Sequence, residues 1–102
     1  MSEFTHFSPR APRSVTVVAD SQTMVSKRTS DHVYTVMYIT NNSDVPVYLG
    51  FTGPNDPTGN AKAKAGITVF PKSTFAFDDP VPTGCTVWAT CESGEAILGI
   101  QE

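Results

Sequence analysis

The run Cys85–Ile100, CTVWATCESGEAILGI, says more about the fold than any other stretch. Two segments rich in β-branched, aromatic and small apolar residues, Cys85–Cys91 and Glu95–Ile100, flank a polar interruption. Such residues suit a pleated, half-buried surface. Ser93-Gly94 supplies the two residues of a tight hairpin, because glycine readily takes a positive φ. The expectation is two adjacent antiparallel strands joined by a two-residue turn.

Working back along the chain, the same texture repeats. Ile67–Phe70 (ITVF) and Lys72–Phe77 (KSTFAF) precede the connector Asp78–Gly84 (DDPVPTG), whose prolines cannot join a ladder. In Val45–Phe51 (VPVYLGF), Pro46 requires the strand to start late or lie at an edge. His32–Thr40 (HVYTVMYIT) is the longest candidate, with Val33, Thr35, Met37 and Ile39 on one face and Tyr34, Val36 and Tyr38 on the other. Both faces are apolar enough for a strand covered on both sides. Ser14–Ala19 and Thr23–Lys27 complete the set, with turn chemistry at Asp20-Ser21-Gln22, Arg28–Asp31 and Asn41-Asn42-Ser43-Asp44. About eight short strands spaced by turns predict an all-β fold, a small antiparallel β-sandwich or barrel. Eleven Val, four Ile and 13 Thr against two Leu exclude a helical bundle. A chain of 102 residues sustains one core, so residues 14–102 read as a single domain behind an extended arm, residues 1–13.

That arm carries Phe4, Phe7, Arg10 and Arg13, with Pro9 and Pro12 holding it extended. Phenylalanines are wasteful in a free tail; they fold back on the domain or anchor in a partner. Residues 1–30 carry four basic and two acidic side chains, residues 31–102 three lysines and eight acids, for a net charge of -3. A mildly basic leader on an acidic body fits an arm that docks on a neighbour, and the acidic balance argues against a nucleic-acid binder. There is no apolar run long enough for a membrane span and no secretion signal at the start, so no membrane partner and a cytoplasmic origin are expected. Asn41-Asn42-Ser43 then reads as a turn, not a glycosylation site.

Cys85 and Cys91 would lie on one side of one strand, about 20 Å apart, too far for an internal disulfide. Buried free thiols are the expectation, with a bond between subunits as the alternative. The 15-residue segment Thr52–Gly66 is a long Gly/Pro loop of the kind that is often functional, and Asn55, Asp56, Asn60, Lys62 and Lys64 are its groups for a partner. A Ca²⁺ site there is disfavoured by one acid against two lysines. Asp78-Asp79, on an extended chain beside Pro80, does not converge as paired-carboxylate catalysis needs, and His32 lacks a supporting motif. No enzyme activity, cofactor or metal is expected. Trp88, with Tyr34, Tyr38 and Tyr48, offers a stacking platform for a sugar as the small-ligand alternative.

The succession VPVYLGF, a Gly/Asn loop, ITVFPKSTFAF, CTVWATC and ESGEAILGI resembles small β-sandwich virion-structural proteins of tailed bacteriophages. The matching residues are Val47–Gly50, Val69–Phe75, Val87–Ala89 and Gly94–Ile100, within residues 45–102. Lys72 stands where that pattern often has glycine after the proline. The resemblance implies a structural role on a virion assembled from proteins made in the host cytoplasm. A capsid decoration or cement protein that oligomerises, as a trimer by preference, and docks on the major capsid protein or neighbouring subunits comes first. A neck, tail or head-fibre component is the alternative, and in either setting Cys85 or Cys91 would link subunits.

Overall fold

In the computed structural model, which describes residues 11–28, 37–53, 66–77 and 84–102, the alternating runs form eight strands. These are β1 (Arg13–Val18), β2 (Thr23–Lys27), β3 (Tyr38–Asn41), β4 (Val47–Thr52), β5 (Ile67–Val69), β6 (Thr74–Ala76), β7 (Thr86–Cys91) and β8 (Glu95–Gln101). They lie in two four-stranded antiparallel sheets, ordered β1-β8-β3-β6 and β2-β7-β4-β5. The fold is therefore all-β and a sandwich, not a closed barrel. Each connection except β4–β5 crosses from one sheet to the other, and this strand order is that of an eight-stranded jelly roll.

Three expectations need correction. Ser93-Gly94 is not a hairpin turn, because β7 and β8 belong to different sheets. Gly94 does take a positive φ, 60°, but the bend sends the chain across the core instead of back along its neighbour. Ala19 N–H donates to Gly94 C=O at 2.9 Å, so the β1–β2 and β7–β8 corners are tied together. The arm boundary moves as well: Arg13 already pairs with Ile100 and belongs to the sandwich. Finally, the 32–40 run is not covered on both faces where it is described: Met37 and Ile39 are buried, whereas Tyr38 is 41% exposed. Pro46 acts as expected, with β4 starting one residue later at Val47 and lying inside its sheet.

Period-two alternation places Val17, Ile39, Ala96, Leu98 and Ile100 of the first sheet against Val25, Val47, Leu49, Val69, Val87, Ala89 and Cys91 of the second. Fully burying each aliphatic side chain is worth about 1.5–3 kcal/mol. At one end Phe51, Phe75 and Phe77 pack edge to face, with centroids 4.9 and 4.7 Å apart, and bridge the two sheets.

Where the chain leaves β3 for β4, Asn41 is fully buried. Its Nδ2 donates to the carbonyls of Val45 (2.8 Å) and Val69 (3.0 Å), and its Oδ1 accepts from Ser43 N–H (3.0 Å) and Ser43 Oγ (2.6 Å). With its amide so committed inside the protein, Asn41 is a structural turn residue and not a glycan acceptor. Its backbone accepts from Lys72 N–H and donates to Ser73 C=O, both at 2.9 Å. That places Lys72 in a turn closed by Ser73 N–H to Phe70 C=O, 3.2 Å, with φ of 61°. Glycine adopts this left-handed backbone freely, whereas a lysine pays for its Cβ. Gly66, at the start of β5, answers a different need: a Cβ there would sit 2.2 Å from Leu49 O.

Replacing Lys72→Gly is therefore expected to raise stability by about 1 kcal/mol, the cost of a non-glycine residue held in this region. The lysine side chain itself offers little in return, since its approaches from Nζ to Asn42 O at 3.2 Å and to Asp44 at 3.8 Å are solvent-exposed. Urea unfolding of both proteins checks this; a variant less stable than the wild type would show that these exposed interactions outweigh the strain.

Candidate functional site

The outward face of the first sheet can be read row by row from its register. Thr74, Thr40, Gly99 and Ser14 form one row across the four strands; Ala76, Tyr38 and Gln101 form the next. On the other side of the Gly99 row, Ile97 pairs with Thr16, and beyond it Glu95 pairs with Val18. Glu95 is the only charged side chain in these rows. Val18, Tyr38 and Ile97 are 44%, 41% and 49% exposed, so the face presents hydroxyls, amides and a few large apolar groups.

Gly99 leaves the middle of this face without a side chain. A groove of about 270 Å³ lies over it, walled by Pro12, Tyr38, Thr40, Asn42 and Gln101. Beside it, the Thr40 and Thr74 hydroxyls bond to one another at 2.8 Å. The lining is uncharged, with one ring and several hydrogen-bonding groups.

At the edge of the sandwich a charged cluster is buried. Glu102 (3% exposed) accepts from Arg13 at 2.7 Å, from Ser26 Oγ at 2.8 Å and from Arg28 at 2.5 Å. Arg28 is itself 1% exposed. Arg13 also donates to Val25 C=O at 2.5 Å, joining β1 to β2 across the two sheets. Burial acts to raise the Glu102 pKa, but the hydrogen bond from Ser26, the hydrogen bond and charge of Arg13 and the hydrogen bond from Arg28 outweigh it. The carboxyl therefore lies below its ordinary 4.5.

The residues singled out from sequence do not gather in one place. Arg13, expected in a docking arm, is half-exposed and anchored to Glu102. Trp88 is half-buried on the outer face of the second sheet, in register with Gly50 and Met24, and its indole N–H donates to Thr52 Oγ1 at 3.2 Å. Tyr48 lies on that same face and donates to Glu92 at 2.5 Å, a bond that with burial and the Glu92 charge raises its pKa above the usual 10.0. Tyr38 is on the opposite side of the molecule, so these aromatics do not form a common platform. Cys91 is 1% exposed with Sγ 3.5 Å from the carbonyls of Val17 and Gly94; Cys85 is half-buried, and neither of these two thiols forms a disulfide. A link between subunits would thus fall to Cys85. Phe4, Phe7, Arg10, Tyr34, Asn55, Asp56, Asn60, Lys62 and Lys64 lie outside the described residues.

The groove and the cluster were not singled out from the sequence. Gly99 inside a strand was the available signal for the groove, since an isolated glycine there often marks close approach of another group. Among the described residues, no group of three His, Cys, Asp or Glu side chains is placed to hold a metal, and no helix is long and apolar enough to cross a membrane. No family model, curated protein or solved structure matches this chain.

Because the folded pKa of Glu102 is depressed, the stability it contributes is complete above its unfolded value of 4.5 and is lost as pH falls through the lower folded value. Glu102→Gln should cost about 3 kcal/mol at neutral pH, as removal of one partner from a buried ion pair does. It should also flatten the acid limb of the stability curve. Urea titrations at neutral and acid pH measure both effects; equal stability of the two proteins at neutral pH would show that the cluster contributes nothing.

Proposed function

We propose that this chain is a non-enzymatic structural subunit of a tailed-phage virion, a capsid decoration protein that assembles with copies of itself and docks on the shell. The observation that carries the reading is the outward face of the first sheet, with one charged residue in its rows and Val18, Tyr38 and Ile97 exposed. Depletion of charge with exposed aliphatic and aromatic groups is what separates the core of a protein–protein interface from ordinary surface. The resemblance of residues 45–102 to phage virion proteins supplies the setting. Jelly rolls recur in viral capsid proteins, but also in lectins and cupins, so topology adds only an analogy. In this reading Phe4, Phe7 and Arg10 of the leader reach the shell, the 54–65 segment contacts neighbouring subunits, and neck or head-fibre placement is the nearest variant.

The test uses purified shells of the phage that encodes the chain. The wild type should sediment as an oligomer and bind these shells, and deletion of residues 1–10, which leaves β1 whole, should weaken shell binding by tenfold or more. A monomer that never associates with shells would overturn the reading.

The groove over Gly99 favours a second reading, a module binding a neutral sugar, with Tyr38 stacking on the ring and Asn42, Thr40 and Gln101 bonding its hydroxyls. It expects retention on an array of neutral glycans that Tyr38→Ala abolishes while oligomerisation is unchanged. Absence of any retention by the wild type removes it.

A further inference from the structure

Among the described residues, each sheet ends in two strands with one unpaired side, β1 and β6 in the first and β2 and β5 in the second. Open edges invite pairing with other chains, and proteins blunt them with short strands, bulges, proline or charge. β5 and β6 are three residues long, and β2 shifts register between Met24 and Ser26. β1 carries none of these devices: it has six residues, RSVTVV, in unbroken register with β8, and no proline. Its one charge, Arg13, is turned to Glu102 and Val25.

The alternation of the ladder shows which groups face outward. Ala19 N–H bonds to Gly94 C=O of the β8 corner, so odd-numbered residues of β1 direct their backbone groups to β8. Ser14, Thr16 and Val18 direct theirs to the free edge. All three residues are exposed. At that edge the Val18 carbonyl accepts from Ser21 Oγ at 3.3 Å, a bond that leaves its second lone pair.

We propose that β1 pairs antiparallel with the β1 of a second copy about a two-fold axis at Thr16. This deepens the assembly reading above and rests on it. The leader is the rival occupant, but in an extended chain Phe4 and Phe7 fall on opposite faces, and Pro9 and Pro12 have no N–H to donate. β1 suits itself better. Partners in a hydrogen-bonded pair must both point to the shared edge, which limits the register. With Thr16 opposite Thr16, Ser14 faces Val18 of the second copy and each pair exchanges both bonds. Sliding to a register centred on Val15 would put Pro12 opposite Val18 and lose a donor. In the Thr16 register no like charges oppose one another: Arg13 lies across from Ala19 of the second copy, next to Asp20. The result is one eight-stranded sheet made of two four-stranded halves. Its merged outer face doubles the charge-poor surface. Such an isologous contact closes on itself and makes a dimer.

Thr16→Pro tests this, because the Thr16 N–H faces the free edge and its loss breaks no bond to β8. The wild type is expected to sediment at twice the 11.0 kDa chain mass. Thr16→Pro should keep the circular dichroism spectrum and weaken self-association tenfold or more. Thr16→Cys in a Cys85→Ser background gives a reading independent of the proline's effect on folding. Cα atoms of a hydrogen-bonded pair lie about 5.5 Å apart, within disulfide reach, so mild oxidation should yield a covalent dimer. If the wild type associates but neither variant behaves this way, or its mass is that of a trimer, the edge pairing falls while the assembly reading stands. If the wild type is a monomer at every concentration, both fall.

Discussion

A single buried amide holds the fold at the point where a sandwich of this kind is weakest. Every change of sheet takes the backbone out of a ladder and leaves its N–H and C=O groups needing partners where water is excluded. At the β3–β4 corner Asn41 meets that need: its side chain satisfies carbonyls of Val45 and Val69 and gathers Ser43, while its backbone holds Lys72 and Ser73. Elements from both sheets thus meet on one residue, and toward the other end of these strands the Phe51–Phe77–Phe75 contact joins the two sheets through apolar surface. Among the described residues, no buried side-chain nitrogen or oxygen is left without a partner.

Strand positions were legible because alternation and turn chemistry are local. Seven runs fall within about two residues of their expected limits; the eighth, 32–40, is described only from Met37 onward. The order of the strands was not legible, and Glu92-Ser93-Gly94 shows why. A two-residue hairpin would put Cys91, Ala89 and Val87 on one face with Ala96, Leu98 and Ile100. In the sandwich those same side chains meet across the core from opposite sheets. Both arrangements bury the same residues and use the same left-handed glycine, so the apolar pattern cannot choose between them. What decides is the place β8 takes between β1 and β3, which depends on residues far away in the chain.

The site features follow the same division. The buried cluster joins residues 89 and 74 positions apart, and neither Arg13 nor Glu102 carries a local mark of it. Gly99 did carry a mark, but its meaning depends on Thr40 and Ser14 lying beside it in the sheet. Lys72 is a different case: the sequence reading put it at the start of a strand, whereas it sits in the turn before β6 at a positive φ, a backbone that glycine adopts most freely. Trp88, the most conspicuous side chain of all, is half-covered beside Gly50 and Thr52.

The β4–β5 connection differs in kind from the others. Both of its strands lie in the same sheet and are registered by Val47–Val69, Tyr48–Thr68 and Leu49–Ile67, and Gly66 seals the exit by lying against the Leu49 carbonyl. Chain entering and leaving this connection is held by a single ladder, so its two ends make no part of the passage from sheet to sheet that the other connections must make.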